Sequence, residues 1–317
     1  MDWRPGAGIE QLRRRAALLA RIRRFFAERD VLEVETPLLA STGITDPSIE
    51  PLLVERGVSV PLPRYLQTSP EYAMKRLLAA HGEPVFQITR AFRDGEAGSR
   101  HNPEFTLLEW YRPGFDHHRL MAEVAQLLVA CIGDREVHKF SYRQLFLDYL
   151  QLDPFTAPLA QLRQVAERHL DVTSLDGDRD MWLDLLVSHV LEPQLVNQGL
   201  CFIYDYPASQ AALARIVEAD GALVGQRFEL YVDGMELANG YFELADAQEQ
   251  RRRFEQDNER RRERGQTERP LDERLLAALG HGMPECSGVA LGVDRLLMLA
   301  SGVSDIRDVL AFDWDRA

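Results

Sequence analysis

The stretch EPVFQITRAFRDGEAGSRHNPEFTLLEWY, Glu83 to Tyr111, carries the reading of the fold. Its first part alternates Phe86, Ile88 and Phe92 with Gln87, Thr89 and Arg93, and its last part puts Phe105, Leu107, Glu109 and Tyr111 on one face. Successive side chains of a strand point to opposite faces, so each part reads as a strand. The two strands flank the polar loop DGEAGSRHNPE, which holds Asp94, Gly95, His101 and Asn102.

Working outward, RYLQTSPEYAMKRLLAAHG has Ser69 and Pro70 where a helix would begin, Glu71 in its first turn and Gly82 beyond its end, which predicts a capped helix. Further upstream, Leu12, Ala16, Leu19, Ile22 and Phe26 recur at helical spacing, and VLEVETPLL reads as a short strand stopped at Pro37. Downstream, from about 120 to 200, helical signals dominate, with Pro154, Pro158 and the SLDGDRD run as breaks. RFELYV and MELANGYFEL are then separated by Asp233-Gly234, a two-residue hairpin signal. A charged helix is predicted from about Gln248 to Arg264; Glu249, Glu255, Asp257 and Glu259 break up its arginine runs, so it reads as a solvated face. The block ECSGVALGVDRLLMLASG takes a glycine-rich apolar strand into a helix with Arg295 near its start.

With 317 residues, 45% of them hydrophobic, the chain can bury one large core. Its 37 Lys+Arg against 50 Asp+Glu give a net charge of -13, the wrong sign for unguided attraction to nucleic acid. Cys131, Cys201 and Cys286 lie far apart without paired spacing, which speaks against a zinc site or a disulfide framework and fits a reducing cytoplasm. The basic opening stretch contains Glu28 and Asp30 and runs straight into a strand, unlike a transit peptide. No apolar run approaches the roughly 18 residues of a membrane span, so a soluble protein without a membrane partner is expected.

In a regular two-residue hairpin Glu229 falls opposite Ala238 and Tyr231 opposite Glu236, so both glutamates share one face. Two such carboxylates suit magnesium, which takes one or two of them together with nucleotide phosphates. In that register Asn239, Tyr241 and Glu243 point the other way, and their joining one site requires an irregularity between Ala238 and Gly240. Arg93, His101, Asn102 and Phe105 suit phosphate, ribose and base contacts, and Arg295 could cover a base stacked on Phe105. Gly288 and Gly292 allow close backbone approach, while Glu243 with the Tyr111 hydroxyl, and Glu71, could hold ammonium groups. Each of these also has a plain structural alternative: a solvated sheet face, a core aromatic, a surface ion pair or tight glycine packing.

Together these blocks resemble the catalytic domain of class II aminoacyl-tRNA synthetases, and among them the lysyl-tRNA synthetases. EVETPLL, with Pro37, is similar to the first class II motif, FRDGEAGSRHNPEFTLLEWY to the second and GVALGVDRLLML to the third; SPEYAMKRLL and MELANGYFEL look like lysine-type pocket segments. The resemblance implies an α+β fold, a mainly antiparallel sheet flanked by helices. Residues 1–317 would form a single catalytic domain with a small helical elaboration at about 120–200, dimerising through the first-motif region. It implies ATP and Mg2+, with Arg93 on the α-phosphate, Asp94 and Gly95 beside it, His101 on the distal phosphates, Asn102 at the adenine edge, and Phe105 and Arg295 clamping the base. Glu229 and Glu236 match the magnesium carboxylates, and Glu236, Leu237 and Gly292 match nucleotide contacts. Ser69, Pro70, Glu71, Tyr111, Asn239, Glu243 and Ala290 would form the amino-acid pocket, with Glu71 on the α-amino group and Glu243 and Tyr111 on the side-chain ammonium.

Three departures refine the resemblance. The helix before the first motif begins almost at Met1, so the family's N-terminal anticodon-binding barrel is expected to be absent. The acid of the Phe-Arg-x-Glu signature comes one place late, at Glu96, and Ala290 stands where lysyl-tRNA synthetases have glycine. These are the departures of truncated lysyl-tRNA synthetase paralogues that modify translation elongation factor P. That resemblance implies an AMP-forming ligase joining (R)-β-lysine, or lysine, to a lysine of elongation factor P, with tRNA not expected as a partner. Two other readings stay open: a minimal synthetase charging tRNA or a small molecule, and a non-catalytic lysine-binding paralogue, against which Arg93, Glu229, Glu236 and Arg295 argue.

Overall fold

The computed structural model describes residues 3–55, 57, 63–172 and 175–317, so Ser174 of the SLDGDRD break lies outside the described residues. The chain divides into two compact units, one of Met1–Gly114, Ala130–Ile132 and Leu244–Ala317, the other of Phe115–Val129 and Gly133–Glu243.

The first unit opens with α1 (Ile9–Ala27), whose buried Leu18, Ile22, Phe25 and Phe26 form one helical face. The segment predicted as one strand gives only β1 (Leu32–Glu33) and, beyond Pro37, β2 (Leu39–Ala40). The two belong to different sheets, because β1 runs parallel to a neighbour while β2 joins β3 (Leu53–Val54) and β4 (Arg64–Leu66) in the order β2-β4-β3. Helix α2 (Glu71–His81) starts as expected after Pro70 and ends at Gly82, whose φ of 70° is the left-handed conformation glycine adopts without strain. Strands β5 (Val85–Phe92) and β6 (Glu104–Pro113) pair antiparallel around the polar loop, and β1 lies parallel to β5.

The second unit contains α3 (His117–Ile132), β7 (Val137–Ser141), α4 (Tyr142–Leu150), α5 (Leu159–His169) and α6 (Arg179–Leu186). A π-turn and a 3-10 turn follow, reaching Leu195. The strands β8 (Leu200–Pro207), β9 (Ile216–Ala219), β10 (Ala222–Val232) and β11 (Met235–Phe242) complete it. β10 pairs antiparallel with β11, β8 and β9, and β7 runs parallel to β8. Tyr142, Phe146, Trp182, Leu186, Ile203 and Tyr231 pack the helices onto this sheet.

The chain then returns to the first unit through α7 (Ala247–Glu263), α8 (Glu273–His281), β12 (Cys286–Gly292) and α9 (Val293–Ser301). α7 departs from the solvated face expected of it at Arg261, which is fully buried. Its guanidinium donates to the carbonyls of Asp46 and Thr267 at 2.9 and 2.8 Å and pairs with Glu50, so the charge is neutralised and each of its three nitrogens has a partner. β12 pairs antiparallel with β6, extending that sheet to β1-β5-β6-β12.

The β5-β6-β12 sheet is two-faced. Phe86 and Trp110 are direct partners, and Phe26 of α1 stacks on Phe86 and meets Trp110 edge-on, at 4.4 and 5.3 Å between ring centroids, which makes this the core side. The opposite face carries the cross-strand rows Gln87–Glu109–Ala290 and Thr89–Leu107–Gly292. All three cysteines are buried and free. Among the described residues, no helix is long and apolar enough to cross a membrane.

Candidate active site

The sheet face of the first unit that points away from α1 gathers much of what the sequence singled out. Odd-numbered residues of β5 and β6 lie on it, so Phe105, Glu109 and Tyr111 follow one another along β6 beside Gly288, Ala290 and Gly292 of β12, and Arg93, just beyond β5, reaches over Phe105.

At one end the loop after Arg93 is held by backbone bonds: Arg93 N–H to the Pro103 carbonyl at 2.9 Å, Asp94 N–H to Glu50 at 2.8 Å, and Ile306 N–H to Ser99 at 2.7 Å. Gly95, with φ of 78°, makes the turn. The Arg93 guanidinium lies 5.1 Å from the Phe105 ring centre, and its Nε is buried without an acceptor among the described residues. A buried guanidinium donor left open suits an incoming anion. The late acid of the second motif still reaches Arg93, with Glu96 Oε1 at 3.7 Å from Nη1. Arg295 Nη2 lies 2.6 Å from His101 Nε2, and its Nε donates to the Arg100 carbonyl at 3.2 Å. Burial first, and then the Arg295 charge, lower the His101 pKa, so the ring nitrogen accepts from the guanidinium in its neutral form. Asn102 uses its amide on the backbone, donating to Glu104 at 2.7 Å and accepting from Trp314 N–H at 2.9 Å.

At the other end, the Tyr111 hydroxyl donates to Glu109 at 2.7 Å, both residues being buried. Glu109 is directly paired with Ala290, so the methyl group that distinguishes this position stands beside a carboxylate. Sequence reasoning gave Glu109 no role; its signal was an acid on the Tyr111 face of the otherwise apolar run FTLLEWY. Glu71 ends 2.6 Å from the ammonium of Lys75, which is 1% exposed. The Ser69 hydroxyl accepts from Glu71 N–H at 3.3 Å. Ser69 and Pro70 line a cavity of about 150 Å³ with Gln67, Tyr72, Arg76 and Arg274, and its lining excludes Glu71, Tyr111 and Ala290.

In the second unit the hairpin register differs from the regular one. Tyr231 faces Glu236 as expected, but Glu229 faces Asn239 instead of Ala238, because Leu237 is an extra residue between the Tyr231–Glu236 and Leu230–Ala238 pairs. The irregularity thus falls at Leu237, before the expected Ala238–Gly240 interval, and the extra leucine is buried. Its effect is the required one: Glu229, Glu236, Asn239 and Tyr241 now share a face. Glu229 is held firmly there. Its Oε2 accepts the hydroxyls of Tyr206 and Tyr231 at 2.7 and 2.6 Å, and its Oε1 pairs with Arg227, which also donates to Asn239 at 3.2 Å. Burial opposes the charge of Arg227, and the Glu229 carboxylate outweighs it, so the guanidinium holds its proton more tightly than usual. Glu243 is 4% exposed and bridges to Ala214 beyond the end of β11. No group of three or more acidic, histidine or cysteine side chains suited to a metal occurs among the described residues.

An antiparallel sheet with an arginine-led loop on one side and a glycine strand running into an arginine-bearing helix on the other defines a class of protein. Residues 1–316 match the family described as tRNA synthetases class II (D, K and N), and the chain belongs to that family. Within it, the chain is similar to the elongation factor P–(R)-beta-lysine ligase of Salmonella typhi, with 51% identity over 321 aligned positions covering 99% of this chain and 98% of that one. The protein of the same name from Pectobacterium carotovorum subsp. carotovorum (strain PC1) is 49% identical, over 100% of this chain and 98% of its own.

Proposed function

We propose that this chain is an ATP-dependent ligase that activates (R)-β-lysine, or lysine, as an aminoacyl-adenylate and transfers it to a lysine side chain of elongation factor P. The observation that carries the reading is the sheet face away from α1, where the cationic Arg93, its Nε without an acceptor beside Phe105, follows β5 and the acidic Glu109–Tyr111 pair lies on β6. A zwitterionic substrate beside a nucleotide needs those two kinds of group in that order.

In the first step a carboxylate oxygen of the amino acid attacks the α-phosphorus of ATP, the bond to the bridging oxygen breaks, and pyrophosphate leaves. Arg93 is proposed to meet the negative charge that grows on the α-phosphoryl oxygens. Phe105 offers the adenine a flat face, Arg295 and the neutral His101 close the loop side, and Asp94, Gly95, Asn102, Leu237 and Gly292 complete the proposed nucleotide contacts. Glu109, Tyr111, Glu71 and Glu243 are proposed to hold the substrate's two ammonium groups, with Ser69, Pro70, Asn239 and Ala290 shaping the wall. In the second step the neutral ε-amine of the acceptor lysine attacks the adenylate carbonyl, an amide forms, AMP leaves, and the amine's proton passes to solvent.

Glu229 and Glu236 are proposed to hold magnesium together with phosphate oxygens; Glu229 Oε2 accepts two hydroxyls and its Oε1 pairs with Arg227, so the metal would have to displace that guanidinium from Oε1. Bound magnesium would offset phosphate charge. Exposed Leu32, Leu38, Leu39 and Leu53 around the first-motif segment support a proposed homodimer.

ATP–pyrophosphate exchange with α-lysine and (R)-β-lysine, followed by intact mass of elongation factor P and of tRNA, tests the reading. Exchange with (R)-β-lysine and a mass gain on elongation factor P are expected; exchange with neither isomer overturns the assignment.

A further inference from the structure

Half-buried Arg15 and buried Thr106 and Asp294 form a hub in the first unit that none of the contacts proposed above uses. Asp294, in the first turn of α9, is 2% exposed. Its Oδ2 accepts the backbone N–H of Thr106 at 2.6 Å, and its Oδ1 accepts Arg15 Nη1 at 2.6 Å. The other terminal nitrogen of Arg15, Nη2, donates to the Thr106 hydroxyl. The β6–β12 ladder ends at the pair Leu107–Gly292, so Thr106 is the first residue of β6 beyond it, and the aspartate takes the N–H that a continued strand would have taken.

The hub touches both sides of the proposed nucleotide clamp through the chain itself. Thr106 follows Phe105, and Asp294 precedes Arg295. Adjacent strand residues point to opposite faces, so pinning Thr106 toward α1 presents Phe105 on the face away from α1. Adjacent helix residues leave the axis about 100° apart, so pinning Asp294 sets the direction in which Arg295 departs. Only a guanidinium can serve both partners with separate nitrogens of one rigid plane; a lysine gives a single point charge.

We infer that Arg15 is a positioning residue of the nucleotide site, fixing the spacing of Phe105 and Arg295 by holding their chain neighbours Thr106 and Asp294. The inference rests on the reading that ATP binds between those two side chains. Helix α1 keeps its packing without Arg15, through Leu18, Ile22 and Phe26 and through the Ser301 hydroxyl donating to Gln11 at 3.1 Å.

The test measures ATP affinity by calorimetry without amino acid, KM for ATP and for the amino acid in pyrophosphate exchange, and thermal midpoint. Arg15→Gln is expected to weaken ATP binding about tenfold, with the amino-acid KM changed by no more than about twofold. Arg15→Lys should restore part of the loss, and Thr106→Val, nearly isosteric, should reproduce part of it. Arg13→Gln, on the same helix in an exposed pair with Glu10, should change nothing. A lowered thermal midpoint with unaltered ATP affinity, or equal rises in both KM values, overturns the inference. Should Arg15→Gln fail to fold, Thr106→Val decides by the same criteria. Wild-type ATP binding without any exchange would sink the activation reading while leaving the hub to be judged by affinity; a wild-type chain that binds no ATP overturns both.

Discussion

Ala290 is a single methyl group in a consequential place. Directly paired strand residues have Cβ atoms about 4.5–5.5 Å apart, so this methyl and the Glu109 side chain share the same small volume. A change of one methylene-sized group in a pocket alters discrimination by about 1–3 kcal/mol. Ala290→Gly is therefore expected to move the ratio of exchange efficiencies toward α-lysine, and an unchanged ratio would remove Ala290 from any account of specificity. Glu109 shows why such a residue is hard to read from sequence. Its partners come from three places: Tyr111 on its own strand, Gln87 opposite on β5, and Ala290 on β12, more than 170 positions away. Alternation placed Glu109 on the right face, and only the assembled sheet shows what it faces.

The elements that the sequence announces are those with strong local period or punctuation: α1, α2, the β5–β6 pair, the Asp233-Gly234 hairpin and the glycine strand entering α9. β7 is illegible within a stretch of helical signals, because VHKFS is short and largely half-buried and its partner β8 begins at Leu200. The extra residue at Leu237 is equally silent, since M-E-L-A-N alternates well enough in either register. Arg261 hides in an arginine run because Asp46 and Glu50, which account for its burial, lie more than 200 positions earlier. The β7–β8 junction also makes a test. Gly199 has φ of 81°, and a Cβ there would run into the carbonyl oxygen of Glu136, at the point where Leu200 N–H bonds that same carbonyl at 2.8 Å. Gly199→Ala is expected to destabilise the fold by ~1–3 kcal/mol, read as a lower urea midpoint at unchanged slope. A midpoint equal to wild type would show that the junction yields without cost.

For the folded chain as a whole, stability should vary with pH through Asp257. Burial, with Asp46 adding to it, raises this carboxyl to about 6 against the hydrogen bond from Thr45 at 2.8 Å. An unfolded aspartate titrates near 3.9, so the folded chain holds this proton more tightly. The stability it contributes is fully present below about pH 4 and lost as pH rises through about 6. Asp257→Asn, which can still accept from Thr45, is expected to gain ~1 kcal/mol at pH 8 and nothing at pH 4. Urea unfolding at the two pH values checks this, and equal gains at both would assign the effect to something other than the proton. The two-faced sheet has a consequence of another kind. Along β5 and β6, every second letter records how the protein stands up and the letters between face the proposed site, so the two histories can change independently. A lineage could rewrite Glu109, Tyr111 and Ala290 for a new guest while Phe86, Leu108 and Trp110 stay as they are, and a single-residue insertion in β6 would erase both records at once.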